Sequence, residues 1–314
     1  MTAPSRRRLI VGTRGSALAL VQTGTVVAAL QALHPGLVIH VKRITTKGDV
    51  MRDVPLAALG GRGVFVDAIE EALRTGAVDL AVHSAKDLPS RLPPDMAVAA
   101  FLERADPRDV LVSRAGRLDE LPAGARVGTG SQRRSCQLLA ARQDLTVLNL
   151  RGNVDTRLRK LDEGEYDAIV LAGAGLLRLG LEERITEWIA PSRMLPSPGQ
   201  GALAIETRSD DPENVALAFP LSHAPTTVAL AAERAFLSRL GVGCAAAVAA
   251  YATLGPNDRL TLEAMIGAAD GRTVRGCATD ASVHAASLGT TLADRLLADG
   301  GRELAAAAER GSGV

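Results

Sequence analysis

The segment Leu80–Pro89 reads Leu-Ala-Val-His-Ser-Ala-Lys-Asp-Leu-Pro. Its apolar start stops at Val82, as a short buried strand would, and His83, Ser84, Lys86 and Asp87 follow at once. In open α/β sheets, ligands bind just beyond the carboxyl ends of the strands. A carboxylate there, with a lysine beside it, can hold a cationic reaction centre or move protons. A lone aspartate after a lone strand is more often a solvated loop residue, so the weight of this reading rests on what the other strand ends carry.

Four of them carry arginine. Arg14 follows the run Leu9–Gly12, and Thr129, Ser131, Arg133 and Arg134 follow Ala125–Gly128. Arg151 follows Thr146–Leu150, with Asn153 capping a helix that places Arg157 in its second turn, and Arg178 ends a short helix after Ala168–Ala172. In a parallel sheet these ends share one side, and guanidinium forks match carboxylates. The inferred ligand therefore carries several carboxylates or phosphates. Ser16 caps the helix after Arg14, and the open amides of a helix start also attract anions. No GxxxxGK[ST] run occurs, so this is not a P-loop.

Cys244 sits in Gly241-Val242-Gly243-Cys244, past the end of a helix. Its spacing alone fits a nucleophile, an attachment point or a small buried residue. Gly-x-Gly-x-x-Ala at this place follows a helix rather than a strand and fails as a dinucleotide motif. Cys136 and Cys277 fall within helix and strand patterns and read as core. The three cysteines form no CxxC pair, and the five histidines no HExxH. No metal is expected.

The elements that must position these residues alternate strand and helix. Strands are expected at 9–12, 38–44, 80–82, 97–101, 109–112, 125–128, 146–150, 168–172 and 202–206, with helices at 17–33, 64–74, 132–142 and 154–163 between them. A helix over 225–240, three strands within 246–279 and one long helix over 285–308 close the chain as a small α+β domain. The charged segment Glu103–Arg108 and the proline-rich Pro191–Gly201 read as two crossings between lobes, as in bilobal binding proteins.

Of the 314 residues, 47% are hydrophobic, enough for two or three domains. A net charge of +1 and 2% aromatics give no field or stacking platform for nucleic acid. Arg6-Arg7-Arg8 precede an apolar run too short for a signal peptide, and no run approaches membrane-spanning length, so a cytoplasmic monomer without a membrane partner is expected.

Taken together, the motifs resemble hydroxymethylbilane synthases, also called porphobilinogen deaminases. The resemblance runs from Leu9 to about Leu254 through Gly12–Ala19, Gly60–Phe65, Ala81–Pro89, Val127–Arg134, Leu150–Arg157, Pro198–Ala202 and Gly243-Cys244. It implies an α/β fold of two similar periplasmic-binding-protein-like lobes, with mixed sheets flanked by helices and a double hinge, plus a small α+β C-terminal domain. The implied boundaries are 1–103 with 199–221 for lobe 1, 104–198 for lobe 2 and 222–314 for the cofactor-attachment domain. It further implies that Cys244 holds a dipyrromethane cofactor by a thioether. Four porphobilinogens are then joined head to tail with loss of ammonia, and water releases the linear tetrapyrrole. Asp87 becomes the catalytic group. Arg14, Ser16, Lys86, Thr129, Ser131, Arg133, Arg134, Arg151, Asn153, Arg157, Arg178 and Gln200 become cofactor or substrate ligands, with Gln22, Arg62, Phe65, His83 and Ser84 as further contacts. The chain departs from the family in having Ala58 where a lysine is common, and Ala245-Ala246-Ala247 after the cysteine where Gln-x-Pro is usual. The residues alone also admit a non-catalytic two-lobed anion-binding or effector-sensing protein, which needs neither Asp87 nor Cys244.

Overall fold

The computed structural model describes residues 8–46, 48, 66–241 and 247–311. Cys244, Arg62, Phe65, Ala58, Ala245 and Ala246 lie outside them. In chain order the first elements are β1 (Arg8–Arg14), α1 (Ala17–Leu33), β2 (Val38–Ile44), α2 (Asp67–Arg74), β3 (Leu80–Ser84), a 3₁₀ turn (Ala85–Asp87) and β4 (Met96–Phe101). Then come β5 (Asp109–Ser113), β6 (Arg126–Gly128), α3 (Gln132–Ala141), β7 (Thr146–Leu148), α4 (Val154–Asp162), β8 (Ala168–Ala172), α5 (Gly173–Arg178) and β9 (Glu187–Trp188). The chain continues as β10 (Leu203–Arg208), α6 (Pro212–Ala218) and α7 (Ala224–Leu240). It ends as β11 (Ala247–Leu254), β12 (Arg259–Gly267), β13 (Thr273–Ala281), α8 (Ala285–Leu296) and α9 (Arg302–Gly311).

Two compact units result, and the backbone passes between them at Arg104/Ala105, Gly201/Ala202 and Thr227/Val228. The first holds a five-stranded sheet in the order β2-β1-β3-β10-β4. β1 is parallel to both β2 and β3, and β10 is antiparallel to β3 and β4. Alternation along β3 divides its side chains between two layers. Leu80 and Val82 join Val26 and Leu30 of α1, and Ala81 joins Ile69 and Leu73 of α2. Ser16 starts α1 by accepting the Ala19 amide at 3.3 Å, a satisfied orphan donor of the first turn.

The second unit repeats the plan. Its sheet order is β7-β6-β8-β5-β9, with β6 parallel to β7 and β8 and β5 antiparallel to β8. The order of parallel trio, antiparallel return and edge strand matches the first sheet, so two similar α/β lobes with mixed sheets are present. The same unit carries the antiparallel meander β11-β12-β13, covered by a core in which Phe236 of α7 meets Leu260, Leu262, Leu288, Leu292 and Leu296.

Two expectations for this C-terminal part are corrected. The helix expected over 285–308 is broken between α8 and α9, where Gly300 takes φ +104°, a conformation that ends an α-helix and favours glycine. Cys277, read as core, is exposed on β13, whereas Cys136 is buried.

Close packing in this domain makes a direct prediction. A Cβ on Gly289 of α8 meets the backbone carbonyl of Ala232 and amide of Phe236, so Gly289→Ala is expected to lower stability by about 1–3 kcal/mol in urea unfolding. Gly24 in α1 has no atom within 4 Å of its added Cβ, and Gly24→Ala is expected to gain about 0.5–1 kcal/mol in the same measurement.

Candidate active site

The parallel pairing of β1 with β3 puts Arg14, the last residue of β1, on the same sheet edge as Ser84, the last residue of β3. The 3₁₀ turn then presents Asp87, which is exposed. Between these ends and α1 lies a pocket of about 60 Å³. Arg14, Ser16, Gln22, His83, Ser84 and Asp87 line it, together with Leu18, Ala19, Val66 and Val82. At roughly 10–15 Å³ for one water position, that space takes a small polar group such as a carboxylate arm, not a dipyrrole. The buried Gln22 amide faces Ser84, with Nε2 donating to Ser84 Oγ at 3.0 Å. Six of the residues named from sequence thus meet at one place. Lys86 is half-buried in the turn and is not part of the pocket lining.

Behind the pocket is a feature that sequence reading missed. Glu206 of β10 is fully buried, and its Oε2 lies 2.9 Å from Nε2 of His83, itself 5% exposed. The approach is off the hydrogen-bond axis: neither Glu206 oxygen nor His83 Nε2 makes a hydrogen bond. Glu70 of α2 adds a second buried carboxylate. Its pKa is raised, first by burial and then by the Glu206 charge, against the pull of Arg74. The signal in the sequence was a glutamate inside an otherwise buried strand, Leu203-Ala204-Ile205-Glu206.

In the second unit the carboxyl ends of β6, β7 and β8 again share an edge, and Thr129, Ser131, Arg151, Asn153 and the helix bearing Arg178 follow them. Ser131 caps α3, accepting the Arg134 amide at 3.4 Å, and its own amide donates to Thr129 Oγ1 at 3.2 Å. Asn153 occupies the N-cap of α4 without a side-chain capping bond. Arg157 Nε donates to Gly152 O at 2.8 Å, and Arg178 Nη2 to Gly201 O at 2.7 Å. Burial lowers the Arg178 pKa. Arg151 Nη1 is buried with no hydrogen-bond partner.

Arg133, Arg134 and Gln200, expected as cofactor or substrate ligands, share an internal partner. All three converge on Asp109, which antiparallel β5 brings to the same edge opposite Ala172. Arg133 Nη1 donates to Asp109 Oδ2 at 2.7 Å, Arg134 Nη2 to Oδ1 at 2.8 Å, and Gln200 Nε2 to Oδ1 at 2.9 Å. Arg134 is further fixed by Nε to Asp109 Oδ1 and Nη1 to Val170 O, both at 3.0 Å. Burial pushes the Asp109 carboxyl up, but the two guanidinium charges and the hydrogen bonds outweigh it and hold it well below the usual carboxylate range. The carboxylate that these arginines match is internal. Sequence reading missed it because Asp109 heads an ordinary apolar strand, Asp-Val-Leu-Val.

The family model described as "Porphobilinogen deaminase, dipyromethane cofactor binding domain" matches residues 9–216. The chain belongs to the porphobilinogen deaminase family. A second model, "Porphobilinogen deaminase, C-terminal domain", matches residues 227–298. The porphobilinogen deaminase of Roseiflexus castenholzii is 58% identical over 302 residues, 96% of this chain and 99% of that protein. That of Syntrophus aciditrophicus is 50% identical over 297 residues, 94% of this chain and 96% of that protein. Among solved structures, a periplasmic sulfonate-binding protein from Methylobacillus flagellatus shows a slight likeness, with 14% identity over 69% of this chain and 67% of that one and a TM-score of 0.41.

The family's first domain is described as binding a dipyrromethane, and the residues present fit a group that carries several carboxylates. The orphaned, buried Arg151 Nη1 is a cationic donor without an acceptor, and an unpaired buried donor costs about 1–3 kcal/mol until an acceptor arrives. Among the described residues, no group of three or more His, Cys, Asp or Glu side chains is placed to hold a metal ion. No single helix among them is long and apolar enough to cross a membrane.

The Asp109 cluster yields a prediction. Asp109→Asn leaves two buried guanidiniums facing a neutral amide, and the expected loss is about 3–5 kcal/mol in chemical unfolding. The pKa of Asp109 is depressed in the fold, so its stabilising contribution is present above the ordinary carboxylate pKa of about 4 and is lost as pH falls through the folded value. Acid titration of the wild type is expected to show that loss, and Asp109→Asn to lack it.

Proposed function

We propose that the chain is a hydroxymethylbilane synthase: it joins four porphobilinogens head to tail with loss of ammonia and releases the linear tetrapyrrole hydroxymethylbilane by hydrolysis, a transferase reaction of tetrapyrrole biosynthesis. The observation that carries this reading is the convergence of Arg14, Ser16, Gln22, Ser84 and Asp87 on one pocket in a member of the porphobilinogen deaminase family.

Each pyrrole of the substrate bears an acetate and a propionate. Arg14, beside the Ser16-capped start of α1, takes one such carboxylate at the pocket. Loss of ammonia leaves an electron-poor methylene pyrrole, cationic at the ring nitrogen. Asp87 accepts the pyrrole N–H and stabilises that cation where it develops, an interaction stronger in the transition state than in the ground state. Gln22 holds Ser84 beside it. Arg151, Arg157 and Arg178, with Thr129, Ser131, Asn153 and Lys86, bind the carboxylates of the growing oligomer. Arg133, Arg134 and Gln200 support them from the Asp109 cluster. Dipyrromethane attached at Cys244 supplies the pyrrole carbon to which the first substrate is joined, and the tether replaces repeated bimolecular encounters. Arg62 and Phe65 are assigned as further contacts from sequence.

The domain division we propose is 1–103 with 199–221, then 104–198, then 222–314. We also propose a cytoplasmic monomer acting on a small molecule, with no nucleic-acid or membrane partner. The near-balanced charge of +1 and the 2% aromatic content support that reading.

The test is porphobilinogen consumption. Asp87→Asn keeps the shape of the side chain and loses its charge, so kcat is expected to fall about 100-fold or more with the fold retained by circular dichroism. Rates within a few-fold of wild type would remove Asp87 from its role. Arg14→Ala is expected to raise KM about tenfold or more, for one lost charge-assisted contact.

A further inference from the structure

Glu233 of α7 is 0% exposed and has no place in the site built above. Its two oxygens accept backbone amides from two distant parts of the second unit. Oε2 takes the Gly199 amide at 2.7 Å, and Oε1 takes the Ala252 amide at 2.8 Å. Ala252 belongs to β11, the strand that follows Cys244 in the chain. A carboxylate removed from water is costly to keep without hydrogen bonds, and one that accepts backbone amides fixes the segments that donate them.

The segment at the first of those amides, Gly199-Gln200-Gly201, does not hold its own shape. Gly199 takes φ +75° and Gly201 φ +89°, and glycine loses more backbone freedom on ordering than any other residue. Bonds from outside therefore define it. Glu233 holds the Gly199 amide, and the Gln200 side chain donates to Pro107 O at 2.7 Å and to Asp109. The Gly201 carbonyl accepts the Ala105 amide at 3.2 Å and Arg178 Nη2 at 2.7 Å. Arg178 is half-buried at the end of α5, so the place of this carbonyl sets the place of its guanidinium. Every group in this chain of contacts lies in the second unit.

We propose that Glu233 is a positioning residue for the coupling reaction. By holding the Gly199 amide it sets the Gly201 carbonyl that orients Arg178, and by holding the Ala252 amide it ties that segment to the strand beyond Cys244. The inference rests on the proposed function, in which Arg178 binds a carboxylate of the oligomer that Cys244 carries. A guanidinium held in one orientation meets a carboxylate with two parallel bonds, and the alignment is lost when its support moves. Two donors need two acceptors. Glutamine has one side-chain oxygen, and its NH₂ turns a donor toward a donor, so Glu233→Gln keeps the size of the side chain and releases one of the two amides.

The experiment is a double-mutant cycle in porphobilinogen consumption, run where circular dichroism shows every variant folded. It compares wild type, Glu233→Gln, Arg178→Lys and the double variant; lysine keeps the charge and loses the fork. Glu233→Gln is expected to lower kcat/KM about tenfold in the wild-type background and less than twofold in the Arg178→Lys background, since residues acting through one contact are non-additive. A purely structural glutamate gives reductions that multiply, and that result, or a Glu233→Gln rate equal to wild type, would overturn the assignment. If Glu233→Gln does not fold, amide exchange decides, because coupling is reciprocal: the Gly199 amide is expected to exchange about tenfold faster in Arg178→Ala than in wild type, and equal exchange rates would overturn the proposal. Wild type that consumes no porphobilinogen would instead defeat the proposed function on which this role rests.

Discussion

A charge taken out of water needs an opposite charge or a proton close by, and both sheets are arranged around that demand. In the second unit Asp109 is wholly buried, and two guanidiniums with the Gln200 amide meet it. In the first, Glu206 is wholly buried, with the imidazole of His83 at 2.9 Å. The two solutions differ in consequence. A carboxylate held by two arginines is locked in its ionised form and serves as a fixed post. A carboxylate facing an imidazole has a neighbour that carries charge only when protonated.

Duplicated topology is what lets one chain hold both. In each sheet three parallel strands end at one edge and an antiparallel strand crosses beside them. Parallel ends deliver Arg14, Ser84 and Asp87 in one unit and Thr129, Ser131 and Arg151 in the other. The antiparallel neighbours, β10 and β5, contribute the internal acids Glu206 and Asp109. The strand-end cations and the buried acids therefore come from strands of opposite direction. Arg151, at one such strand end, has its Nη1 buried without a hydrogen-bond partner.

The strand–turn–helix signals made most of this legible in the sequence. Apolar runs ended in Thr13-Arg14-Gly15-Ser16 and His83–Asp87, and the ends of parallel strands gather whatever follows them. The Arg133 and Arg134 pairing was not legible, because it depends on register: Asp109 stands opposite Ala172 only once β5 and β8 are paired. The His83–Glu206 contact depends likewise on the pairing of β3 with β10, whose residues are far apart in the chain. The break between α8 and α9 was written in Asp299-Gly300-Gly301, but the alanine-rich apolar spacing on either side reads as one helix. The short β9 and α6 carried too few residues for any period to show.

The central claim is that a polyanionic oligomer, tethered to a sulfur of this chain, is extended at Asp87 within an arginine-bearing site. Intact mass of the purified protein, before and during exposure to porphobilinogen, tests it most directly. The account predicts that the resting chain carries the added mass of two pyrrole units, that this mass climbs in steps of one porphobilinogen less ammonia, and that Cys244→Ala carries neither. A wild-type chain that consumes porphobilinogen while remaining at its bare polypeptide mass would contradict it.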